Sequence, residues 1–182
     1  MPVSLRRGSS SLFARAQWDA RRHSRLRRVE RILVSSCLMG RPVRYDGRAK
    51  PVVGDLFERW RAEGRLVPFC PEVAGGLPVP RPPAEIVGSR VLTEDGRDVT
   101  DAFQRGARLA LEIARRAGAR IALLKEGSPS CGGTRVHDGT FTGRSTAGEG
   151  LTAALLRSSG IRVFPETDLA AVASLLAEWE TH

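Results

Sequence analysis

Cysteine is scarce in this chain: Cys37, Cys70 and Cys131 are the whole complement among 182 residues. An odd number excludes a framework of closed intramolecular disulfides. Histidine is equally sparse, with His23 in a basic N-terminal stretch, His182 at the end and His137 in a polar segment read as a surface loop. A cysteine nucleophile, for which Cys131 is the candidate, therefore has no obvious imidazole partner. No apolar run is long enough to span a bilayer, so a soluble protein with no membrane partner is expected. The apolar core of a secretory signal is missing too, and thiols in a chain that is not exported stay reduced. The expected setting is cytoplasmic, where cysteines serve metals or catalysis more often than bridges.

Acidic residues are sparse at one end. Residues 1 to 31 hold nine arginines against Asp19 and Glu30, while the remainder carries 20 basic and 18 acidic side chains. The basic excess belongs to an Arg/Ser-rich extension, residues 1–30, and the domain that follows, residues 31–182, has no charge argument for binding nucleic acid. Arg15, Arg21, Arg22, Arg25, Arg27 and Arg28 could line one short helix. A loose extension, a start codon placed too early, a docking arm for RNA or an acidic partner, and a targeting peptide all suit that composition.

From Arg31 onward, strand and helix patterns alternate. Apolar runs at 32–36, 66–69, 121–124 and 161–164, bounded by Gly, Pro and Ser, read as buried strands. Leu56, Phe57 and Trp60 mark a helix that stops at Gly64. Thr100 is the expected cap of a second helix with Phe103, Ala107, Ala110, Leu111 and Ala114 on its core face, ending at Gly118. A small helix at 150–159 and a last one capped by Thr167, with Leu169, Val172, Leu176 and Trp179 on one side, complete the set. Residues 138–143 resemble a turn or short hairpin, and four prolines between Pro78 and Pro83 make a stiff extended loop able to line a cleft. The expectation is an α/β fold, a compact three-layer domain with a mostly parallel sheet, without repeats or a second domain.

Each cysteine sits just past one of these strands. In open α/β sheets ligands gather outside the carboxyl ends of the strands, so three thiols could converge there and hold a metal or cluster with one position open. Against this stands the ordinary preference of a lone cysteine for burial as a small apolar group. Spacing does not decide, because the three match neither paired zinc ligands nor a ferredoxin run. Glu72, two residues past Cys70, is placed to act as a general base. Lys125 ends a buried strand and either neutralises a ligand or pairs with a carboxylate. Asp46 either pins its loop or contacts a substrate, and Arg81 with Glu85 reads as a salt bridge bracing the proline loop or as a substrate clamp.

Ordered strings carry a more specific signal. Cys37-Leu38-Met39-Gly40, Val43-Arg44-Tyr45-Asp46-Gly47, Cys70-Pro71-Glu72-Val73-Ala74-Gly75-Gly76-Leu77, Arg81-Pro82-Pro83-Ala84-Glu85, Asp98-Val99-Thr100, Leu124-Lys125, Ser128-Pro129-Ser130-Cys131-Gly132 and Asp138-Gly139-Thr140-Phe141 resemble the thiouracil desulfidase family of bacteria across about residues 31–166. The resemblance implies a 4Fe-4S cluster held by Cys37, Cys70 and Cys131, with the fourth iron open to polarise a thiocarbonyl sulfur for attack by water. It implies Glu72 and Ser128 as the acid/base pair, with Ser130 as the alternative serine; on their own chemistry, Asp46, Ser130 and Lys125 are possible substrate contacts. The substrate expected from it is a small thiolated base or nucleoside, in bacterial sulfur metabolism. A rival reading is a non-catalytic zinc or cluster protein that docks on RNA through its basic extension.

Overall fold

The computed structural model describes residues 29–181; the basic extension expected at 1–30 lies almost wholly outside them. Four strands, β1 (Ile32–Ser35), β2 (Leu66–Phe69), β5 (Ile121–Leu124) and β8 (Arg162–Pro165), form one sheet in the order β2-β1-β5-β8. Every neighbouring pair is parallel, with Ile32 opposite both Leu66 and Ile121, and Ile121 opposite Arg162. Such a sheet must be covered on both faces, and the alternation along its strands shows how. Ile32, Val34, Ile121 and Leu123 pack with Phe57 and Trp60 of helix α1 (Asp55–Ala62) and Val172 and Leu176 of α5 (Leu169–Glu180). Leu33, Ala122 and Leu124 face the other way, onto Ala110 and Ala114 of α3 (Thr100–Ala117) and Ala153 and Leu156 of α4 (Leu151–Ser158). The expected three layers are present.

The helix caps differ from expectation by one residue in two places. Thr100 is the first helical residue of α3 and its hydroxyl accepts from Val91 N–H, while the Asp98 carboxylate accepts from Thr100 N–H and Oγ1–H. At α5 it is Asp168, not Thr167, that caps, its side chain accepting from Ala171 N–H. In both cases a carboxylate just ahead of the helix meets the free N–H groups of the first turn.

Two antiparallel hairpins stand apart from the sheet. β3 (Ala84–Val87) pairs β4 (Arg90–Thr93), and β6 (Arg135–His137) pairs β7 (Ser145–Ala147) around the turn expected at 138–143. The sequence pattern leads to no element at the first of these. His137 belongs to β6 rather than to a loop.

The short helix α2 (Pro71–Ala74) follows Cys70 directly and lies on α3 with almost no space between backbones. A Cβ built on Gly106 would stand 2.1 Å from Pro71 O, and one on Gly75 2.1 Å from Ala102 O. Only glycine allows that approach. Gly106→Ala should therefore push α2 off its seat and cost about 1 to 3 kcal/mol, the usual range for overpacking. A thermal midpoint equal to that of the unaltered protein would show that the crossing has slack.

Candidate functional site

The chain runs from β1 to β2 on one side and later crosses to β5 on the other, so its direction of progress reverses between β1 and β5. Loops leaving the carboxyl ends of strands at such a point diverge and leave a crevice. A cavity of about 360 Å³ occupies this place, and Cys37, Cys70 and Cys131 all line it, together with Glu72, Ser128 and Lys125. All three cysteines are free, two of them buried.

Local structure explains each placement. After β1 the chain tightens into a 3-10 turn, Ser36–Met39, closed by Gly40 in the left-handed region, and the Cys37 carbonyl accepts from both Gly40 and Lys50 N–H. Cys70 sits at the N-terminus of α2, with Pro71 in the first position, where proline loses no hydrogen bond. Cys131 lies in a loop stitched to the start of α4: Leu151 N–H donates to Pro129 O, and Thr152 and Ala153 N–H donate to Ser130 O. Glu126 holds the far side of that loop, its carboxylate accepting from the backbone of Gly133, Thr134 and Arg135.

Burial pushes the Cys37 thiol up to about 11, with the Cys70 charge adding to the rise and Lys125 and Arg44 opposing it. Burial also raises Cys131, whose side chain bonds Ser35 and feels Glu72, Cys70 and Cys37, and it raises Cys70 against the backbone N–H groups of Val73 and Glu72. The three thiols thus lie within electrostatic reach of one another. No three His, Cys, Asp or Glu side chains among the described residues are arranged to hold a single metal ion. A cluster makes a different demand, because each thiolate binds its own iron and the ligands spread around a cavity instead of closing on a point. Burial disfavours the charged form of all three thiols, and a cationic iron centre would favour it, so the donor set fits such a group.

Glu72 and Ser128 meet. Ser128 Oγ donates to Glu72 Oε1 at 3.2 Å and accepts from Ser130 N–H at 3.0 Å and Cys131 N–H at 3.1 Å. The other Glu72 oxygen, Oε2, accepts from Arg81 Nε at 3.0 Å and Nη2 at 2.5 Å. Arg81 is nearly buried and also donates to Val43 O and Pro78 O, so its partner is Glu72 and not Glu85. Fixing one carboxylate oxygen leaves the other aimed along the cavity wall at Ser128.

The remaining residues singled out from the sequence fall in different places. Lys125 lines the cavity with its Nζ bonded to Glu166 Oε1 at 2.5 Å and Glu126 O at 2.7 Å, so it both pairs with a carboxylate and faces the site. Ser130 is fully buried behind the wall, sharing a hydrogen bond with Thr152 Oγ1 at 2.8 Å, and substrate cannot reach it without unpacking α4. Asp46 is outside the lining: it accepts from Arg48 N–H and pairs with Arg44, which is the loop-pinning role. His137 lines the cavity, with Nδ1 3.3 Å from Arg144 O, and Cys131 has Ser35 rather than an imidazole beside it. Phe141, at the tip of the second hairpin, is a wall residue to which the sequence assigned no role.

Parallel sheet, crevice at the reversal and three thiols on one cavity define a three-cysteine α/β enzyme site. The sequence model of the 2-thiouracil desulfurase family matches residues 32–168, and the chain belongs to that family. A Bacillus subtilis (strain 168) relative, the uncharacterized protein YbbK, is 40% identical over 148 residues, spanning 76% of this chain and 97% of that protein. A solved structure, the 4Fe-4S-dependent thiouracil desulfidase TudS, superposes with a TM-score of 0.80 at 57% identity, covering 81% of this chain and 98% of that one.

The thiol shifts carry a consequence for the ligand-free protein. Cys37 rises from an ordinary 9.0 to about 11 on folding, so its protonated form favours the folded state below pH 9 and that contribution disappears as pH climbs through about 11. Denaturant midpoints of iron-free protein should fall across this window more steeply than those of Cys37→Ala. Parallel curves would mean that Cys37 does not titrate there.

Proposed function

We propose that this protein removes sulfur from thiolated pyrimidines such as thiouracil, exchanging C=S for C=O with water and releasing hydrogen sulfide, with no net electron transfer. The observation that carries this reading is the meeting of three free thiols and a Glu72–Ser128 pair on one cavity. Cys37, Cys70 and Cys131 would hold a 4Fe-4S cluster. That group, when bound with one iron free of protein ligands, supplies a Lewis acid that draws electrons from the thiocarbonyl.

The chain supplies proton handling. Glu72 Oε1 takes a proton from the attacking water, and Arg81 on Oε2 keeps the carboxylate from rotating away. Ser128 Oγ, already donating to Glu72, carries a proton between the carboxylate and the departing sulfur or the ring. Its two accepted backbone bonds tie that hydroxyl to the Cys131 loop, so acid/base pair and ligand move together. Lys125 places positive charge near Cys37 without spending its pairing to Glu166.

Three free thiols suit a reducing cytoplasmic setting and a role in bacterial sulfur metabolism. Residues 31–182 would form the desulfidase domain and residues 1–30 a separate basic extension, whose removal should leave sulfide release intact.

Two experiments test the reading. Cys70→Ser, reconstituted anaerobically, should lose most of its iron and all sulfide release, since serine is a poor replacement for a soft thiolate. Full iron retention would remove Cys70 from the ligand set. Glu72→Gln should keep its iron and its affinity for thiouracil yet release sulfide at least ~100-fold more slowly, the lower end for a lost general base. Turnover near that of the unaltered enzyme would make Glu72 a brace for Arg81 only.

A further inference from the structure

One buried carboxylate of the cavity is not used above. Glu85, on β3, is 6% exposed and lines the cavity, and it has no cationic partner among the described residues. Its Oε2 accepts from Phe141 N–H at 3.1 Å, while its Oε1 accepts nothing. No side-chain oxygen sealed from solvent lacks a partner among the described residues, so that second oxygen keeps some accessible surface on a residue that lines the cavity. A nearly buried carboxylate with one lone acceptor facing a cavity is costly unless a ligand supplies a donor.

Phe141 points to the same ligand. It is the one non-glycine residue with positive φ among the described residues, at 58°. A bulky side chain held there marks a position that the surroundings over-determine, and such positions cluster at ligand sites. Its loop is pinned from two sides. Asp138 accepts from Thr140 N–H, and a Cβ on Gly139 would lie 2.7 Å from Ile86 O of β3. The Glu85 bond then sets the Phe141 backbone, and the residue lies on the cavity wall.

We infer that Glu85 and Phe141 form the recognition wall for the heterocycle, the free Glu85 oxygen accepting a ring N–H and the Phe141 ring packing against the planar face. This rests on the desulfidase reading and adds the selection of the substrate. Thiouracil carries an N–H on each side of its 2-position, and a carboxylate acceptor distinguishes such a ring from one methylated at the nitrogen it meets. Phe141 contributes apolar and quadrupolar contact that any flat ring satisfies, so the carboxylate sets selectivity and the ring sets affinity.

The test uses cluster-loaded enzyme with 2-thiouracil, its N1-methyl and N3-methyl forms, and uracil as a non-reacting binder. The unaltered protein should bind uracil by calorimetry and show KM higher by about tenfold or more for one methyl form, the cost of a lost bond to a charged acceptor. Glu85→Gln keeps a carbonyl for Phe141 N–H but turns an amide NH2 toward the ring. It should weaken uracil about tenfold and erase the preference between methyl forms, with iron content unchanged. Phe141→Leu should weaken uracil about threefold to tenfold for all ring forms alike, and Phe141→Tyr should restore it. Retained methyl discrimination in Glu85→Gln, equal use of both methyl forms by the unaltered enzyme, or undiminished uracil binding in Phe141→Leu would overturn the wall. Absence of sulfide release from thiouracil by the unaltered, iron-loaded enzyme would instead overturn the desulfidase reading itself.

Discussion

Parallel pairing of β1 with β2 on one side and β5 on the other puts three strand ends at one edge of the sheet, and each of those strands is followed by a cysteine. Parallel ladders require long crossovers, so thiols far apart in sequence are brought together by backbone hydrogen bonds rather than by their own affinity for one another. The apolar faces that fix the register, Ile32 and Val34 against α1 and α5 and Leu33 against α3, thereby fix the site as well. A slip of one residue at β1 would turn Ile32 and Val34 toward the wrong layer and carry Cys37 off the cavity.

Charge organisation follows from that geometry. The crevice is lined by several carboxylates, two of them tied to a neighbouring segment, Glu72 by Arg81 and Glu126 by three backbone N–H groups of the third cysteine loop, while Glu166, outside the lining, pairs with Lys125. The Glu72–Arg81 and Glu166–Lys125 pairs are largely shielded from water, where truncation of one partner strands the other and costs more than the pair contributes in place. The same pairs therefore tie the wall of the site to the stability of the fold.

Much of the core domain was legible in the residues. Strands at 66–69 and 121–124, the α3 stripe of Phe103, Ala107, Ala110 and Ala114, and the stop at Gly118 follow from periodicity and local punctuation, which depend on neighbours in sequence. The hairpin of β3 and β4 was not legible, because its proline-rich approach masks the short strands behind it. Partner choice was hidden as well. Arg81 stands near Glu85 in sequence and bonds Glu72 in space, and Ser130 stands next to Cys131 yet turns its hydroxyl into the core toward Thr152. Which of the two serines flanking Pro129 faces a cavity is settled by how the loop meets α4, a long-range fact with no local signature.

The seating of α2 on α3 has a consequence of its own. Contact there is made by main-chain atoms, Gly106 against Pro71 and Gly75 against Ala102, and main chain at glycine has no rotamers to exchange. A side-chain-packed joint can trade one conformer for another as temperature or ligand changes, and each trade moves what the joint supports. This joint lacks that freedom, so the position of Glu72 at the head of α2 inherits the rigidity of an 18-residue helix. The proposed acid/base group thus stands on a fixed main-chain base, and only its carboxylate, held by Arg81 and Ser128, is left to side-chain contacts.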